Sequence, residues 1–232
     1  MTPARSQTPS AKRRRAVLEA YRARGKRNAN LWLIYSVKTD RDWLLQSDRE
    51  LVHWIIFLET DRRVATFDLA PEPMLSHDAS EARATEPDAL VQTVDGHIEF
   101  HEVKAGRLID ESARPQLLAQ SSGAQTLGVA YKFFCDIDLA PHCKTAVRWL
   151  KPIAYAATIR DQAHASCRDA LLAIASSDRK GTVRSVLHAL PHFDPSVVLG
   201  LLARLAIRGP LQLDLTRRSF GYTTSWEWCD DN

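Results

Sequence analysis

The spacing of apolar and polar positions changes several times along the chain, and each change marks an element. Residues 31 to 37, LWLIYSV, are a dense run of strand-forming side chains and predict a β-strand. Ser47, Asp48, Arg49 and Glu50 have the form of a capping box. Leu51, Trp54, Ile55 and Leu58 follow at helical spacing, so a helix is predicted over about 48 to 60. VATFDL at 64 to 69 reads as a strand, and 71 to 87, with three prolines, as a polar loop. Two strands, about 89 to 94 and 97 to 104, flank Asp95-Gly96, a strong hairpin signal. Residues 111 to 126 predict a helix and 129 to 139 a further strand. The order helix, strand, hairpin, helix, strand predicts a mixed α/β core.

The rest of the chain is patterned differently. After a poorly patterned connector near 140 to 165, Cys167, Ala170, Leu171 and Ile174 form one helical stripe and Val183, Val186, Leu187 and Leu190 a second. Asp194-Pro195 opens a third helix carrying Val198, Leu201, Leu202 and Leu205, which Gly209-Pro210 stops. Residues 211 to 224, LQLDLTRRSFGYTT, alternate and turn like a small hairpin. Three short helices followed by a hairpin is the order of a winged-helix domain, whose third helix can enter a major groove. Arg204 and Arg208 are then its candidate phosphate contacts. The alternative is a small helical cap that packs or binds protein. No internal repeat is visible. The predicted organisation is a basic, largely disordered arm over 1–28, an α/β domain over 29–160 and a winged-helix-like domain over 161–232.

Composition is that of a globular chain, with 45% apolar and 25% charged residues in 232, and no apolar run approaches the roughly 20 residues that span a bilayer. No secretory signal is expected from the N-terminal sequence. Cys135, Cys143, Cys167 and Cys229 show no C-x-x-C spacing, which suits reduced thiols in a cytoplasm better than a disulfide framework or a structural zinc site. The net charge of +3 hides an asymmetry: residues 1 to 28 hold nine basic side chains against one acid, Glu19, a net of +8 that leaves −5 for the remainder. Such an arm on a mildly acidic body is a common footprint of a polyanion partner, with Arg13, Arg14 and Arg15 as its densest cluster.

The chemistry concentrates in the hairpin. Alternation along 97 to 104 puts Ile98, Phe100, Glu102 and Lys104 on one face and His97, Glu99, His101 and Val103 on the other. His101 is thereby assigned a structural role. A carboxylate at 102 can hold a divalent cation, and an ammonium at 104 can polarise a water or balance charge growing on a phosphate. Asp88, entering the partner strand, supplies a second hard oxygen ligand, and the Val103 carbonyl a third, a set suited to Mg²⁺. A strict two-residue turn at Asp95-Gly96 would pair 88 with 103 and point Asp88 away from Glu102. The cluster therefore requires an irregularity, and a three-residue turn over 95 to 97, pairing 88 with 104, is the expected one. Gln116, on the following helix, is a candidate polar neighbour of the site or simply exposed helix surface. The six tryptophans read as core, with Trp226 and Trp228 as possible anchors for a protein partner.

Pro87-Asp88, thirteen residues, then Glu102-Val103-Lys104 resembles the PD-(D/E)xK nuclease motif. That superfamily carries a helix glutamate, a strand, the hairpin bearing the motif, a helix and another strand, in the order read above. Glu50 falls where the helix glutamate belongs, and its competing role is the acid of the capping box. More narrowly, SDRELVHWIIFLETDRRVATFDLAPEP, with its Ser-x-x-Glu opening, Leu-Glu-x-Asp end and V-x-x-F strand, looks like the TnsA endonuclease subunit of heteromeric transposases; the likeness covers roughly 30 to 140, and a winged-helix tail is also a TnsA feature. The resemblance implies a restriction-endonuclease-like core that nicks one DNA strand at transposon ends. It implies Mg²⁺, with Mn²⁺ able to substitute, held by Asp88 and Glu102, with Lys104 activating water and Glu50 as an additional acid. The implied partners are DNA, an RNase H-like transposase subunit and an AAA+ ATPase regulator, with no membrane. The implied setting is a prokaryotic cytoplasm, nucleoid-associated when bound to DNA. The other readings are a nuclease of restriction, junction resolution or defence, and a catalytically inactive DNA-binding or scaffold subunit.

Overall fold

The computed structural model describes residues 19, 21, 22, 30–77, 82–106 and 114–229. The expectations placed on Arg13, Arg14 and Arg15, and on the order of the arm, lie outside the described residues, as does the side chain of Gln116.

Strand β1 (Trp32–Ser36) pairs antiparallel with β2 (Arg41–Leu45), a strand the sequence pattern did not reveal. The predicted helix then begins where its cap requires. Ser47 Oγ accepts the Glu50 amide at 3.2 Å, and α1 (Asp48–His53) runs on into a π-helical segment, Trp54–Glu59, closed by the Thr60 amide on the Ile55 carbonyl at 3.0 Å. Leu51, Trp54, Ile55 and Leu58, the stripe seen in sequence, are all buried.

β3 (Val64–Asp68) leads to β4 (Met74–His77) and β5 (Ala82–Thr85), which pair with each other inside the segment expected to be loop. β6 (Ala89–Thr93) and β7 (Ile98–Val103) form the expected hairpin, and α2 (Arg114–Thr126) carries the chain to β8 (Ala130–Phe134). The strand predicted to reach 139 stops at Phe134. Asp138 accepts the Cys135 amide at 2.8 Å and starts the short α3 (Asp136–Leu139), so local capping overrides the apolar run. The central sheet has the order β3-β6-β7-β8, antiparallel except that β8 runs parallel to β7. The molecule is thus mixed α/β around a mixed sheet. Ala89, Val91, Val64 and Phe67 join the main core with α1, whereas Leu90, Phe100 and Tyr131 form a second cluster with Ala124 of α2.

The unpatterned connector is a helix. After a single 3₁₀ turn, α4 (Cys143–Thr158) buries Ala146, Trp149, Ile153 and Ala156, and Pro152, buried in its middle, is what made the helix hard to read. α5 (Ala165–Asp178), β9 (Lys180–Thr182), α6 (Val183–Ala189), α7 (Pro195–Arg208), β10 (Leu211–Leu213) and β11 (Ser225–Trp228) complete the chain. The three helices begin close to their predicted starts. The final hairpin does not close within 211 to 224: its second strand starts at Ser225 and lies between β10 and the unpredicted β9.

α7 packs along α4. A Cβ on Gly200 would lie 2.7 Å from the Tyr155 carbonyl oxygen, so the two backbones approach there as only glycine permits. The same helix buries Val198, Leu201, Leu202, Ala203, Ala206 and Ile207, and Ser196, Arg204 and Arg208 are its only polar side chains, so it carries no broad polar face. Arg204 hydrogen-bonds the Tyr35 hydroxyl at 3.2 Å and Arg208 the Lys38 carbonyl at 2.7 Å, so both guanidinium groups sit against the first hairpin. Trp226 is buried with its indole N–H on the Thr182 carbonyl at 3.1 Å, a core residue and no exposed anchor. Among the described residues, no helix is long and apolar enough to cross a membrane.

Candidate active site at the foot of the hairpin

The hairpin register decides where the acids point. Thr93 and His97 close the turn, with the Thr93 amide on the His97 carbonyl at 2.9 Å and the Gly96 amide on the Thr93 carbonyl at 3.0 Å. The loop therefore holds three residues, Val94, Asp95 and Gly96, and Gly96 takes a φ of 85°. The predicted irregularity is present but one position earlier than expected. Leu90 opposes Phe100 and Ala89 opposes His101, so Asp88, one step further, comes opposite Glu102 and not opposite Lys104. Directly opposed residues share a face, and the two carboxylates meet.

Asp88 Oδ2 accepts the Val103 amide at 2.7 Å. Lys104, just past the end of β7, lies with Nζ 2.5 Å from Glu102 Oε1. That oxygen is fully buried and, among the described residues, has no hydrogen bond of proper angle beside the ion pair. Burial pushes the Asp88 and Glu102 carboxyls up, and Asp88 raises Glu102 further. Burial works against the Lys104 ammonium, but Glu102, Asp88 and Glu50 together carry its pKa upward. The lysine is positive and belongs electrostatically to all three acids.

Glu50 reaches the cluster from α1. Its Oε2 accepts the Gln46 amide at 2.8 Å and its Oε1 the Ser47 hydroxyl at 3.0 Å, so the capping role weighed from the sequence is real. Burial raises its pKa, and Asp88 adds to the rise while Lys104 opposes it, which places Glu50 in the same field. A cleft of about 300 Å³ lies here, lined by Gln46, Glu50, His53, Pro87, Asp88 and Val103.

Sequence reasoning missed the residues that hold these groups still. Gln120 is wholly buried, donates to Glu102 Oε2 at 3.3 Å and accepts the Tyr131 hydroxyl at 2.8 Å. It lies one turn beyond Gln116, and its signal was a lone amide on the stripe Leu117, Gln120, Ala124 that faces the sheet. Arg49, next to Glu50, pairs with Asp136, whose other oxygen accepts the Gly106 amide at 2.8 Å and so secures the backbone just past Lys104. His101 lies on the opposite face, as expected. It is buried, 3.0 Å from His53 Nε2 and 3.1 Å from Glu99, and burial holds both imidazoles below their ordinary pKa. A larger cleft of about 430 Å³ opens on that side, but Glu99 there is paired with Lys132 at 2.6 Å and Arg63 with Asp61 at 2.7 Å.

The fold and site define a mixed α/β protein with two opposed carboxylates, a lysine and a helix-borne glutamate at the foot of a hairpin. No family model matches the chain, and no curated protein matches it significantly.

Proposed function

We propose that the protein is a metal-dependent DNA endonuclease of the PD-(D/E)xK kind, working as the TnsA-like strand-nicking subunit of a heteromeric transposase. The observation that carries the chemistry is the opposition of Asp88 and Glu102 with the Lys104 ammonium 2.5 Å from Glu102. The order of elements through β8 agrees with the restriction-endonuclease-like core that the motif implies. The order α5, β9, α6, α7, β10, β11, with a sheet ordered β10-β11-β9, supports a winged-helix reading of the last third.

The donor set fits a hard divalent cation. Burial raises the pKa of Glu50, Asp88 and Glu102, with Asp88 adding to the rise at Glu50 and Glu102, and Glu102 Oε1 is buried without a good hydrogen bond. Among the described residues no group of three or more His, Cys, Asp or Glu side chains is placed to hold a metal ion. Mg²⁺ does not need one, because it is commonly held by one or two carboxylates with waters and substrate phosphates completing its shell. Asp88 and Glu102 would hold Mg²⁺ or Mn²⁺ with the Val103 carbonyl beside them. A cation so held supplies Lewis-acid stabilisation of the charged phosphate.

The chain's own groups do the rest. Lys104 presents its ammonium next to Glu102, where it orients a water for attack and balances charge growing on the phosphate. Gln120 and Lys104 hold Glu102, and the Val103 amide holds Asp88, so the acids need little reorganisation. Glu50, held by Ser47 and Gln46, supplies a further acid at the rim of the cleft. DNA, an RNase H-like transposase subunit and an AAA+ ATPase are the partners this reading carries, in a prokaryotic cytoplasm.

The test is nicking of a transposon-end duplex and of a supercoiled plasmid, in Mg²⁺ or Mn²⁺ and with the transposase subunit supplied. Asp88→Ala and Lys104→Ala are each expected to lower the rate about 10²-fold or more. Equal nicking by wild type and both variants would remove the assignment.

A further inference from the structure

Away from α7, one group of cations gathers where α4 meets the loop between β10 and β11. On α4, Lys144, Arg148 and Lys151 recur at one-turn and two-turn spacing on one side, while Trp149 and Ile153 face the core. Arg148 donates to the carbonyls of Leu215, at 3.3 Å, and Thr216, and Lys151 donates to the Phe220 carbonyl at 3.3 Å. The loop between β10 and β11 is thus tied to α4 near both of its bends. Leu215 and Phe220 are buried at either end of its crest, and Asp214 accepts both the amide and the hydroxyl of Thr216, which sets the first bend. What this frame holds outward is Arg217-Arg218, both exposed. Neither guanidinium makes a hydrogen bond or ion pair among the described residues; Arg217 only lies near enough to Asp214 to lower its carboxyl. Tyr222, 62% exposed, stands further along the same loop.

We propose that this ridge, Lys144, Arg148 and Lys151 of α4 with Arg217 and Arg218 of the loop, is the surface on which the last third of the protein holds duplex DNA, through phosphates and without reading bases. Two observations favour this partner. The cations are carried on an anchored loop and a helix, so ordering them on a phosphate backbone costs little. The helix that would read base edges in a winged-helix domain has its middle buried and its arginines against β1 and β2. The proposal rests on the reading of the protein as one that acts on DNA, but it concerns binding and not cleavage.

The experiment measures binding of the full chain to two 30-base-pair duplexes of unrelated sequence, in EDTA, over a range of salt. The variants are Arg217→Ala/Arg218→Ala and, as an exposed control with equal charge change, Arg62→Ala/Arg168→Ala. Loss of two phosphate contacts is expected to weaken binding about tenfold or more for both duplexes and to reduce the slope of log affinity against log salt by about 2, with the control near wild type. Thermal melts of both variants should match wild type, since all four side chains are at the surface. The proposal is overturned if the loop variant binds like wild type, if the control falls equally, if only one duplex is affected, or if wild type binds neither. Wild type that binds through the ridge but does not nick in the separate Mg²⁺ or Mn²⁺ assay with the transposase subunit supplied upholds the proposal and removes the nuclease.

Discussion

Glu59 is wholly buried, its Oε1 accepting the Val37 amide at 2.6 Å and its Oε2 the Ser36 hydroxyl at 2.7 Å, and burial pushes its pKa up to about 7. Lys38 beside it donates to the carbonyls of Leu58, at 2.9 Å, and Asp61, and burial lowers its pKa to about 8. These residues join the first hairpin to the end of the π-helical segment, which is what the Leu-Glu-x-Asp pattern does in this fold. A folded pKa above the unfolded one means that the folded state holds the proton more tightly. The contribution of Glu59 to stability is therefore complete below about pH 4.5 and lost as the pH rises through about 7. For Lys38, with its folded pKa lowered, the contribution is present above about pH 10.5 and lost as the pH falls through about 8, so it stays charged below that window. Glu59→Gln keeps one of the two acceptor oxygens and removes the titration. Its unfolding free energy relative to wild type should rise by on the order of 2 to 3 kcal/mol between about pH 5 and about pH 7.5. Parallel urea midpoints for the two proteins across that range would refute it. At this scale the grouping of Asp88, Glu102 and Lys104 was legible because strand alternation and the hairpin turn bring those positions together. Gln120 and Asp136 were not, because a hydrogen bond across 18 or 30 residues leaves no local trace.

Two elements show how close packing settles what propensity leaves open. The α4–α7 pair depends on Gly200, where a methyl group would meet the Tyr155 carbonyl oxygen at 2.7 Å and Ile159 at 2.9 Å. Alanine is the better helix former by about 1 kcal/mol, so propensity alone predicts that Gly200→Ala stabilises. Backbone cannot yield as a side chain can, and overpacking of this kind costs about 1 to 3 kcal/mol. Gly200→Ala is expected to lower stability by a net amount of up to about 2 kcal/mol, read as a fall in Tm with an unchanged far-UV spectrum; a rise in Tm would show that the helices part freely. The hairpin gives the complementary case. Asp95-Gly96 announces a turn, but whether the loop has two or three residues follows from which strand positions find buried partners, and a shift by one residue would send Asp88 to the other face.

Across the whole molecule, one apolar core runs from Ile34 in the first hairpin through Trp54, Trp149 and Leu202 to Trp226 in the last strand. α4 touches both the first hairpin and α7, so the division at 160 expected from the patterning does not separate two cores. Unfolding should therefore be a single cooperative event. Tryptophan fluorescence and far-UV circular dichroism are expected to give coincident urea transitions, and two resolved transitions would show that the tail folds on its own. The same continuity bears on the proposed DNA contact: Arg204 and Arg208 bind the first hairpin, so the surface proposed for DNA lies on the loop and α4 instead.

By itself the sequence determined the local elements with strong periodicity or caps, the hairpin, and the pair of acids with their lysine. Each of these depends on neighbours a few residues apart, where propensity, capping and turn chemistry act. Only the tertiary structure decided the register that joins Asp88 to Glu102, the burial of Gln120 and Glu59, the helix through Pro152 and the inward face of α7. Those outcomes turn on which surfaces, distant along the chain, exclude water together.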